Sequence, residues 1–385
     1  DWFEPPAGNG PPNWFARPFS GGMDWPSQGP WWKPAAASPG DIKEVWDLSR
    51  FNWTLALAQR AAQGDQSELV RLNDWLRDWS AKNPPYSGPN WVCGQEASIR
   101  VMHLAVTAVI LGQDKCPSQT VQAFVRAHLA RIAPTLGYAL AQDNNHGVLE
   151  AAGLFVGGAW LHAVSGDAQA REWAVLGRQW LEERARRLIA PDGGFSMYSV
   201  AYHREFLDAL SLSEYWRRRL DLPAFSDLFV ERAKAAALWL RAFTHPLSGD
   251  VPNIGGNDGT RFMPLSDTDY RDFRPSVQLA CVMFARARAY AGDGSWDLPL
   301  KWLGVELPEM VLSEGSSRLF DDCGFALLKH ADQGSDVQAI VRYPRFRFRP
   351  SHADGLHLDF WLNGQNVLRD GGSFSYDVRL GFTDY

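Results

Sequence analysis

The sequence predicts an α-helical domain that closes into a toroid, followed by an antiparallel β region. Helical spacing of apolar residues recurs in about nine segments, which short loops with Gly, Asn or Pro separate. More apolar segments alternate with segments striped by Arg and Glu, which suits inner and outer helices paired around a ring. After about Leu312 the pattern changes to short strands, with turns at Asn363-Gly364 and Gly371-Gly372.

This pattern divides the chain into three regions. Residues 1–40 are rich in Pro, Gly and Trp without a sustained period, and we expect an irregular arm packed on the toroid by its aromatic side chains. Residues 41–311 form the toroid, and residues 312–385 form the start of the β domain. A few strands are short for a complete β domain, so we expect the natural chain to continue beyond Tyr385.

The composition indicates a globular protein and argues against some partners. With 385 residues, 45% of them hydrophobic, the chain can bury a sizeable core. A net charge of −6 argues against nucleic acid as a general partner. We expect no membrane insertion, because no apolar run reaches the ~18 residues of a spanning helix. The 4 scattered cysteines predict neither a zinc site nor a disulfide framework.

Residues 141–161 place polar side chains at the start of an almost wholly apolar helix. Asp143, Asn144 and Asn145 are residue types that cap helices, so the helix is predicted to begin near His146. Because its body has no polar stripe, we expect it to be central and buried. The positive end would favour an anion, such as a carboxylate, beside Asn145 and His146. A plain cap with a satisfied histidine is the alternative.

Two further segments carry side chains capable of chemistry. Glu96 and Arg100 lie four residues apart at a predicted helix start, and we expect them to form a surface ion pair within that helix. In residues 192–206 a Gly-rich turn leads to Tyr198, Tyr202 and His203. A tyrosine hydroxyl can both accept and give a proton, although adjacent Tyr and His at a helix start are often simply packed.

Residues 346–372 combine histidines with acidic side chains. His352, Asp354 and Asp370 are zinc or calcium ligands by type, but they lack a tight spacing signature, so a metal site is the weaker interpretation. Residues 252–261, PNIGGNDGTR, lack the acidic alternation and closing Glu of an EF-hand. We interpret this segment as a Gly-rich loop lining a cleft.

Five motifs occur in order along most of the chain: DIKEVWDLSRF (41–51), NPPYSGPNWVCGQEASIR (83–100), NNHGVLEAAGL (144–154), DGGFSMYSVAYH (192–203) and RPSHADGLHLDFWLNGQNVLRDGG (349–372). Together they resemble the heparinase II/III-like polysaccharide lyases, which include heparin, heparan sulfate and some alginate lyases. The resemblance implies an incomplete (α/α) toroid followed by an antiparallel β-sandwich, with the active site in the cleft between them. It also implies an acidic polysaccharide partner, β-elimination at a uronic acid with a C4–C5 unsaturated product, and a periplasmic or extracellular location.

The resemblance also implies roles for four residues. Asn145 would face the uronate carboxylate with His146 beside it, because the charge that develops during C5 proton removal needs stabilisation. Tyr202 would protonate the leaving oxygen and, in syn elimination, also take the C5 proton. His352 would act as the base or assist the tyrosine.

Other residues near the motifs are expected to contact substrate or a metal. The substrate contacts are Trp91, Glu96, Arg100, Asn144, His203, Asn257 and Arg349. The reaction requires no cofactor, but some heparinase II-like enzymes bind a structural zinc near the histidine. Asp354 and Asp370 fall near the corresponding places, although Asp354 stands where the family can carry His, so both are weak candidates.

Two other functions stay open from the sequence. A toroidal glycoside hydrolase would need two carboxylic acids flanking the scissile bond, and candidates are Glu96, Glu150, Asp192 and Asp258. A non-catalytic relative would bind uronate oligosaccharides without turnover, but the co-occurrence of Asn145, Tyr202 and His352 argues against it. Basic residues near the motifs permit a sulfated substrate, whereas the net charge of −6 leans toward a less highly charged polymer.

Overall fold

The computed structural model describes residues 10–17, 29–33, 41–332, 335–348, 352 and 354–372. Within these ranges helices are followed by one antiparallel sheet of five strands, as the sequence predicts. The chain divides into two compact units. Unit 1 contains the described residues up to Ala139 together with Leu149–Arg178, and unit 2 contains Leu140–Val148 and the described residues from Gln179 onward.

The helices follow the predicted segments closely. They are α1 (Lys43–Leu48), α2 (Asn52–Ala62), α3 (Gln66–Lys82), α4 (Gly94–Ile110), α5 (Gln119–Ile132), α6 (Leu136–Ala141), α7 (Asn145–Ser165), α8 (Ala168–Leu188), α9 (Val200–Arg219), α10 (Asp227–Phe243), α11 (Arg274–Ala280) and α12 (Leu298–Leu303). Three segments that the sequence predicts as single helices, residues 41–62, 118–140 and 275–292, are interrupted. A 3₁₀ turn at Ala133–Thr135 separates α5 from α6. Phe51, with φ 67°, separates α1 from α2, and α11 ends in a π turn before Arg286, with φ 55°. The short α12 was not predicted.

Aromatic side chains form the core of unit 1. Trp14, from the N-terminal arm, is fully buried and lies 5.6 Å from the ring of Trp53 and 6.3 Å from that of Trp75. Its indole nitrogen donates to Asp78 at 2.8 Å. Each buried ring of this size contributes on the order of 2–3 kcal/mol through burial, so these contacts hold the described part of the arm in place.

Glu96 and Arg100 do not form the predicted surface ion pair. Both are buried, with 1% and 0% of their surface exposed, because α4 is enclosed within unit 1. The Glu96 carboxylate accepts two hydrogen bonds from Arg50, each 2.8 Å long. Arg100 donates to Nε2 of His128 at 3.0 Å and to the carbonyl of Asn90 at 2.6 Å. Both side chains therefore have hydrogen-bond partners that are distant in sequence, and they lie in the interior instead of on the surface.

Helix α7 has the predicted cap and buried body. Oδ1 of Asn144 accepts a hydrogen bond from the backbone N–H of His146 at 3.0 Å. The body of the helix is buried, as the sequence predicts, and its buried apolar residues include Val148, Leu149, Leu154, Phe155, Val156 and Trp160. By length and composition α7 would suffice to cross a membrane, but 83% of its apolar window is buried inside the protein, which is typical of a core helix.

The five strands pair in sequence order. They are β1 (Arg318–Phe320), β2 (Phe325–Asp332), β3 (Ser335–Arg342), β4 (Leu358–Leu362) and β5 (Gln365–Leu368), and every neighbouring pair is antiparallel. The predicted turn at Asn363-Gly364 joins β4 to β5, with both residues at positive φ, 50° and 77°. The predicted strand at residues 373–378 lies outside the described residues.

The sheet is apolar on both faces. One face is buried and includes Phe325, Leu327, Ile340 and Trp361. The opposite face carries several exposed apolar side chains: Leu319, Leu328, Leu358, Leu362 and Leu368. Apolar side chains on both faces are typical of a sheet packed between two layers.

Candidate active site

Several candidate residues of unit 2 are connected by the Gly-rich loop 252–261. The loop is hydrogen-bonded to the residues that begin α9: the N–H of Val200 donates to the carbonyl of Ile254 at 3.1 Å, and the Ser199 hydroxyl donates to the carbonyl of Gly256. Gly255 has φ +76°, and a Cβ atom there would lie 2.2 Å from the carbonyl oxygen of Tyr198. This close approach requires glycine.

Asn145, the first residue of α7, is oriented by a buried carboxylate. Its Nδ2 donates to Oε2 of Glu205 at 2.8 Å, and the exposed fractions of the two residues are 3% and 1%. Oε1 of Glu205 accepts a second hydrogen bond, at 3.4 Å, from the hydroxyl of Thr260 in the loop. A charge-assisted hydrogen bond in a buried setting fixes the direction of an amide strongly. Glu205 therefore determines how Asn145 presents its side chain.

Tyr202 lies in the first turn of α9, and the same loop contacts its hydroxyl. Ser199 caps this helix by accepting a hydrogen bond from the Tyr202 N–H at 3.1 Å. The Tyr202 hydroxyl, on a partly exposed residue, donates to Oδ2 of Asp258 at 2.9 Å. Oδ1 of Asp258 accepts from the N–H of Thr260 at 3.3 Å, which holds the carboxylate in an Asx turn. Thr260 thus connects the surroundings of Tyr202 and Asn145.

His352 joins the loop through Asp354. Oδ2 of Asp354 accepts from the N–H of Gly255 at 2.9 Å and from Arg342 at 2.5 Å. Oδ1 of the same carboxylate lies 3.6 Å from Nδ1 of His352, whose side chain is 25% accessible. At this distance the two atoms do not form a hydrogen bond, so Asp354 acts on the His352 ring only as a nearby negative charge.

The structure thus connects Asn145, Tyr202 and His352, which lie up to about two hundred residues apart in sequence, through one loop. His146 follows Asn145 and is partly buried, and Asn144 serves as the helix cap. Asn257 belongs to the loop itself, where it donates to Asn253 at 2.8 Å and accepts from the Tyr270 hydroxyl.

Other predicted substrate contacts are placed differently. Trp91, Glu96 and Arg100 are buried residues of unit 1, and the ring of Trp91 is tilted against that of His128, with ring centroids 4.5 Å apart. His203 is also buried: its ring stacks on Trp239 at 4.6 Å, and its Nε2 faces the carbonyl of Ala236 at 3.0 Å.

Burial lowers the pKa of His203 to about 4, so its ring is neutral near pH 7. His203 therefore has a packed, structural environment, which was the alternative to a substrate contact in the sequence analysis. The remaining predicted contact, Arg349, lies outside the described residues.

The two metal candidates have other partners. Asp354 pairs with the cationic Arg342, and Oδ1 of Asp370 accepts from the N–H of Gly372 at 2.7 Å. Within the described ranges no group of three or more His, Cys, Asp or Glu side chains is arranged to hold a metal ion. A zinc ion at Asp354 would have to compete with the guanidinium of Arg342, which lies 2.5 Å from Oδ2 of that carboxylate.

Sequence reasoning missed Glu205, Asp258 as a partner of tyrosine, and Thr260. Asp258 was considered only as a candidate hydrolase carboxylate. No short-range motif marks these residues, because the contacts between Asn145 and Glu205 and between Tyr202 and Asp258 span 60 and 56 residues. The signal that could have identified Glu205 is its position three residues after Tyr202, since residues with this spacing lie on neighbouring sides of a helix.

This chain is similar to known proteins in its fold but not detectably in its sequence. No family model and no curated protein sequence matches it. A solved structure of heparinase III has a TM-score of 0.62 at 16% identity, over 90% of this chain and 53% of that one. A mutant heparan sulfate lyase, HepC from Pedobacter heparinus, has a TM-score of 0.56 at 18% identity, over 91% and 53%.

The chain therefore spans about half the length of these solved structures. Identities this low show the fold alone. At that level the neighbours confirm the resemblance to heparinase-like lyases that the five motifs indicate.

Proposed function

We propose that this chain carries the reaction centre of a polysaccharide lyase, which cleaves a uronic acid-containing polysaccharide by β-elimination. The observation that carries the proposal is the connection of Asn145, Tyr202 and His352 through loop 252–261. The fold shared with heparinase III supports it.

Asn145 would stabilise the charge that develops on the uronate. The C5 proton lies next to a carboxylate and is a poor acid, so its removal builds negative charge on the carboxylate oxygens. An amide at the positive end of α7 can donate to those oxygens without adding a titrating group. Glu205 fixes the amide at 2.8 Å before substrate arrives, so little reorganisation is needed during the reaction.

Tyr202 and His352 would handle the two protons. The Nε2 lone pair of His352 takes the C5 proton, and the electrons of the broken C5–H bond form the C4–C5 double bond. The C4–O4 bond breaks, and O4 takes the proton of the Tyr202 hydroxyl. Oδ2 of Asp258 accepts a hydrogen bond from the Tyr202 hydroxyl at 2.9 Å, which orients this hydroxyl as a proton donor.

The finer architecture is part of the proposal. An incomplete toroid agrees with the alternation of apolar and charged helices along the chain. A β-sandwich is supported by the exposed apolar face of the sheet, since a second sheet would cover it. A periplasmic or extracellular location is part of the same proposal.

The direct test is Tyr202→Phe, assayed on heparan sulfate, hyaluronan, alginate and bacterial exopolysaccharides. Wild-type protein should release product with the ultraviolet absorbance of a C4–C5 double bond, and the variant should lose about 10²-fold or more in kcat. Tyr138→Phe is the matched control, because Tyr138 is 76% exposed and lies in unit 1. Undiminished turnover by Tyr202→Phe would exclude the tyrosine role, and new reducing ends without absorbance would indicate a hydrolase.

A further inference from the structure

Arg and Phe alternate in an exposed loop of unit 2, residues 345–348. Phe346 and Phe348 expose 40% and 45% of their surface, although aromatic side chains are usually buried. Cations hold both rings from one side: the Arg342 guanidinium lies 4.8 Å from the ring of Phe346, and that of Arg187 lies 4.2 Å from the ring of Phe348. The rings are therefore positioned rather than loosely exposed.

Tyr198 fixes the backbone of this loop. Its hydroxyl donates to the carbonyl of Arg345 at 2.9 Å and accepts from the N–H of Arg347 at 2.6 Å. The Tyr198 backbone has φ 55°, a left-handed conformation that is strained for a non-glycine residue. Tyr198 directly precedes Ser199, the cap of the helix that carries Tyr202. The loop is therefore attached to the backbone that positions the candidate acid.

Arg347 differs from the other cations of this loop in the acidic partners that the described residues offer. Arg345 pairs with the exposed Asp321 at 3.2 Å, and Arg187 pairs with Asp143 at 2.7 Å. Asp322 lines the same small depression as Arg187 and Arg347. Among the described residues, no carboxylate lies within ion-pair distance of Arg347. Arg347 thus presents an exposed guanidinium on this loop, in a chain whose net charge is −6.

We propose that residues 345–348, together with Arg187, form a subsite for a second acidic sugar of the polysaccharide, beside the reaction centre. A guanidinium binds a carboxylate or sulfate through two parallel hydrogen bonds, and Arg347 offers this donor set. The exposed faces of Phe346 and Phe348 suit the apolar faces of sugar rings. The subsite rests on the proposed function, since it binds the chain that the reaction centre cleaves.

The test measures binding in the Tyr202→Phe background, where turnover is removed. The probes are hexasaccharides of heparan sulfate and alginate, with maltohexaose as the neutral counterpart. Arg347→Ala should weaken binding of an acidic probe about 5- to 10-fold and reduce its salt dependence, with no effect on maltohexaose. Arg347→Lys, which keeps the charge but loses the two-pronged geometry, should fall between wild type and Ala. The control is Arg77→Ala, because the Arg77 side chain is 75% exposed on α3 and pairs with its neighbour Asp74.

The outcomes separate this subsite from the proposed function. Equal affinities for Arg347→Ala and Arg77→Ala, or no preference for either acidic probe over maltohexaose, would overturn the subsite. Selective weakening by Arg347→Ala supports the subsite even if the wild-type protein forms no unsaturated product, a result that would reject only the lyase activity. Conversely, lyase activity with an unchanged KM in Arg347→Ala would reject the subsite alone.

Discussion

Replacing Glu205 by Gln should slow turnover by releasing the amide of Asn145. The hydrogen bond between them is 2.8 Å long and buried, and one partner is a carboxylate. Such a bond contributes about 1.5–3 kcal/mol, roughly twice as much as a neutral one. Gln keeps the shape and an acceptor oxygen but loses the charge. We therefore expect a loss of about 1–1.5 kcal/mol, which corresponds to roughly a 5- to 10-fold fall in kcat.

The control for this substitution lies in the same helix. Glu214 is 6% exposed and accepts hydrogen bonds from Arg217 and Arg218 at 2.7 Å each. Glu214→Gln removes a charge of the same kind from α9, but away from Asn145, and kcat should stay unchanged. Both variants are compared by thermal unfolding, so that a loss of folded protein is not mistaken for a loss of turnover.

A double-mutant cycle decides whether Glu205 acts through Asn145. In the Asn145→Ala background the amide is absent, so Glu205→Gln should have almost no further effect on kcat. The coupling free energy is then expected to equal the full effect of the single Glu205 substitution, about 1–1.5 kcal/mol. Additive losses would refute this reasoning, because they would mean that Glu205 supports turnover independently of Asn145.

Three further predictions concern other buried or paired groups. Asp258→Ala should lower kcat about 10-fold by removing the acceptor of the Tyr202 hydroxyl, whereas Asp258→Asn, which keeps an acceptor, should lower it less. Burial lowers the pKa of His203 from 6.5 to about 4, so the unfolded chain binds more protons across this interval. Stability to urea should therefore fall as the pH drops from about 6.5 to 4, by at most about 3 kcal/mol, and His203→Phe should remove that part of the slope. Burial raises the pKa of Glu150 from 4.5 to about 8, so the folded chain retains a proton that the unfolded chain loses. Stability should decline as the pH rises from about 4.5 to 8, and Glu150→Gln should make the urea midpoint less dependent on pH in that range.

Much of the fold was predictable because its signals are local. The cap at Asn144 and the apolar body of α7 require only the residues within that helix. The change from helical to strand spacing near Leu312 is also a local signal, and β1 begins a few residues after it. The break at Phe51 was missed, because no glycine or proline marks a left-handed φ of 67° there.

The residues that orient the candidate site were less predictable. Helix α9 contains acidic and basic residues that, in sequence, indicate a solvated face, yet Arg204, Glu205, Asp208 and Glu214 are all buried. Their burial depends on packing around the whole helix, which periodicity alone does not reveal. Arg204, for example, donates hydrogen bonds to the carbonyls of Thr260 and Tyr270. The bond to Thr260 fixes the end of loop 252–261.

The loop also gives a physical reason for the wide spacing of the motifs. A segment without regular secondary structure has backbone groups that need partners elsewhere. In loop 252–261 those partners come from the motifs: the carbonyl of Gly256 accepts from Ser199, and the N–H of Gly255 donates to Asp354. The hydrogen bonds that pair the backbone groups of the loop therefore also position the residues around Tyr202 and His352. The conformation of loop 252–261 and the geometry of the proposed reaction centre are therefore coupled. A substitution that distorts this loop should displace the residues of the proposed reaction centre even when both units remain folded.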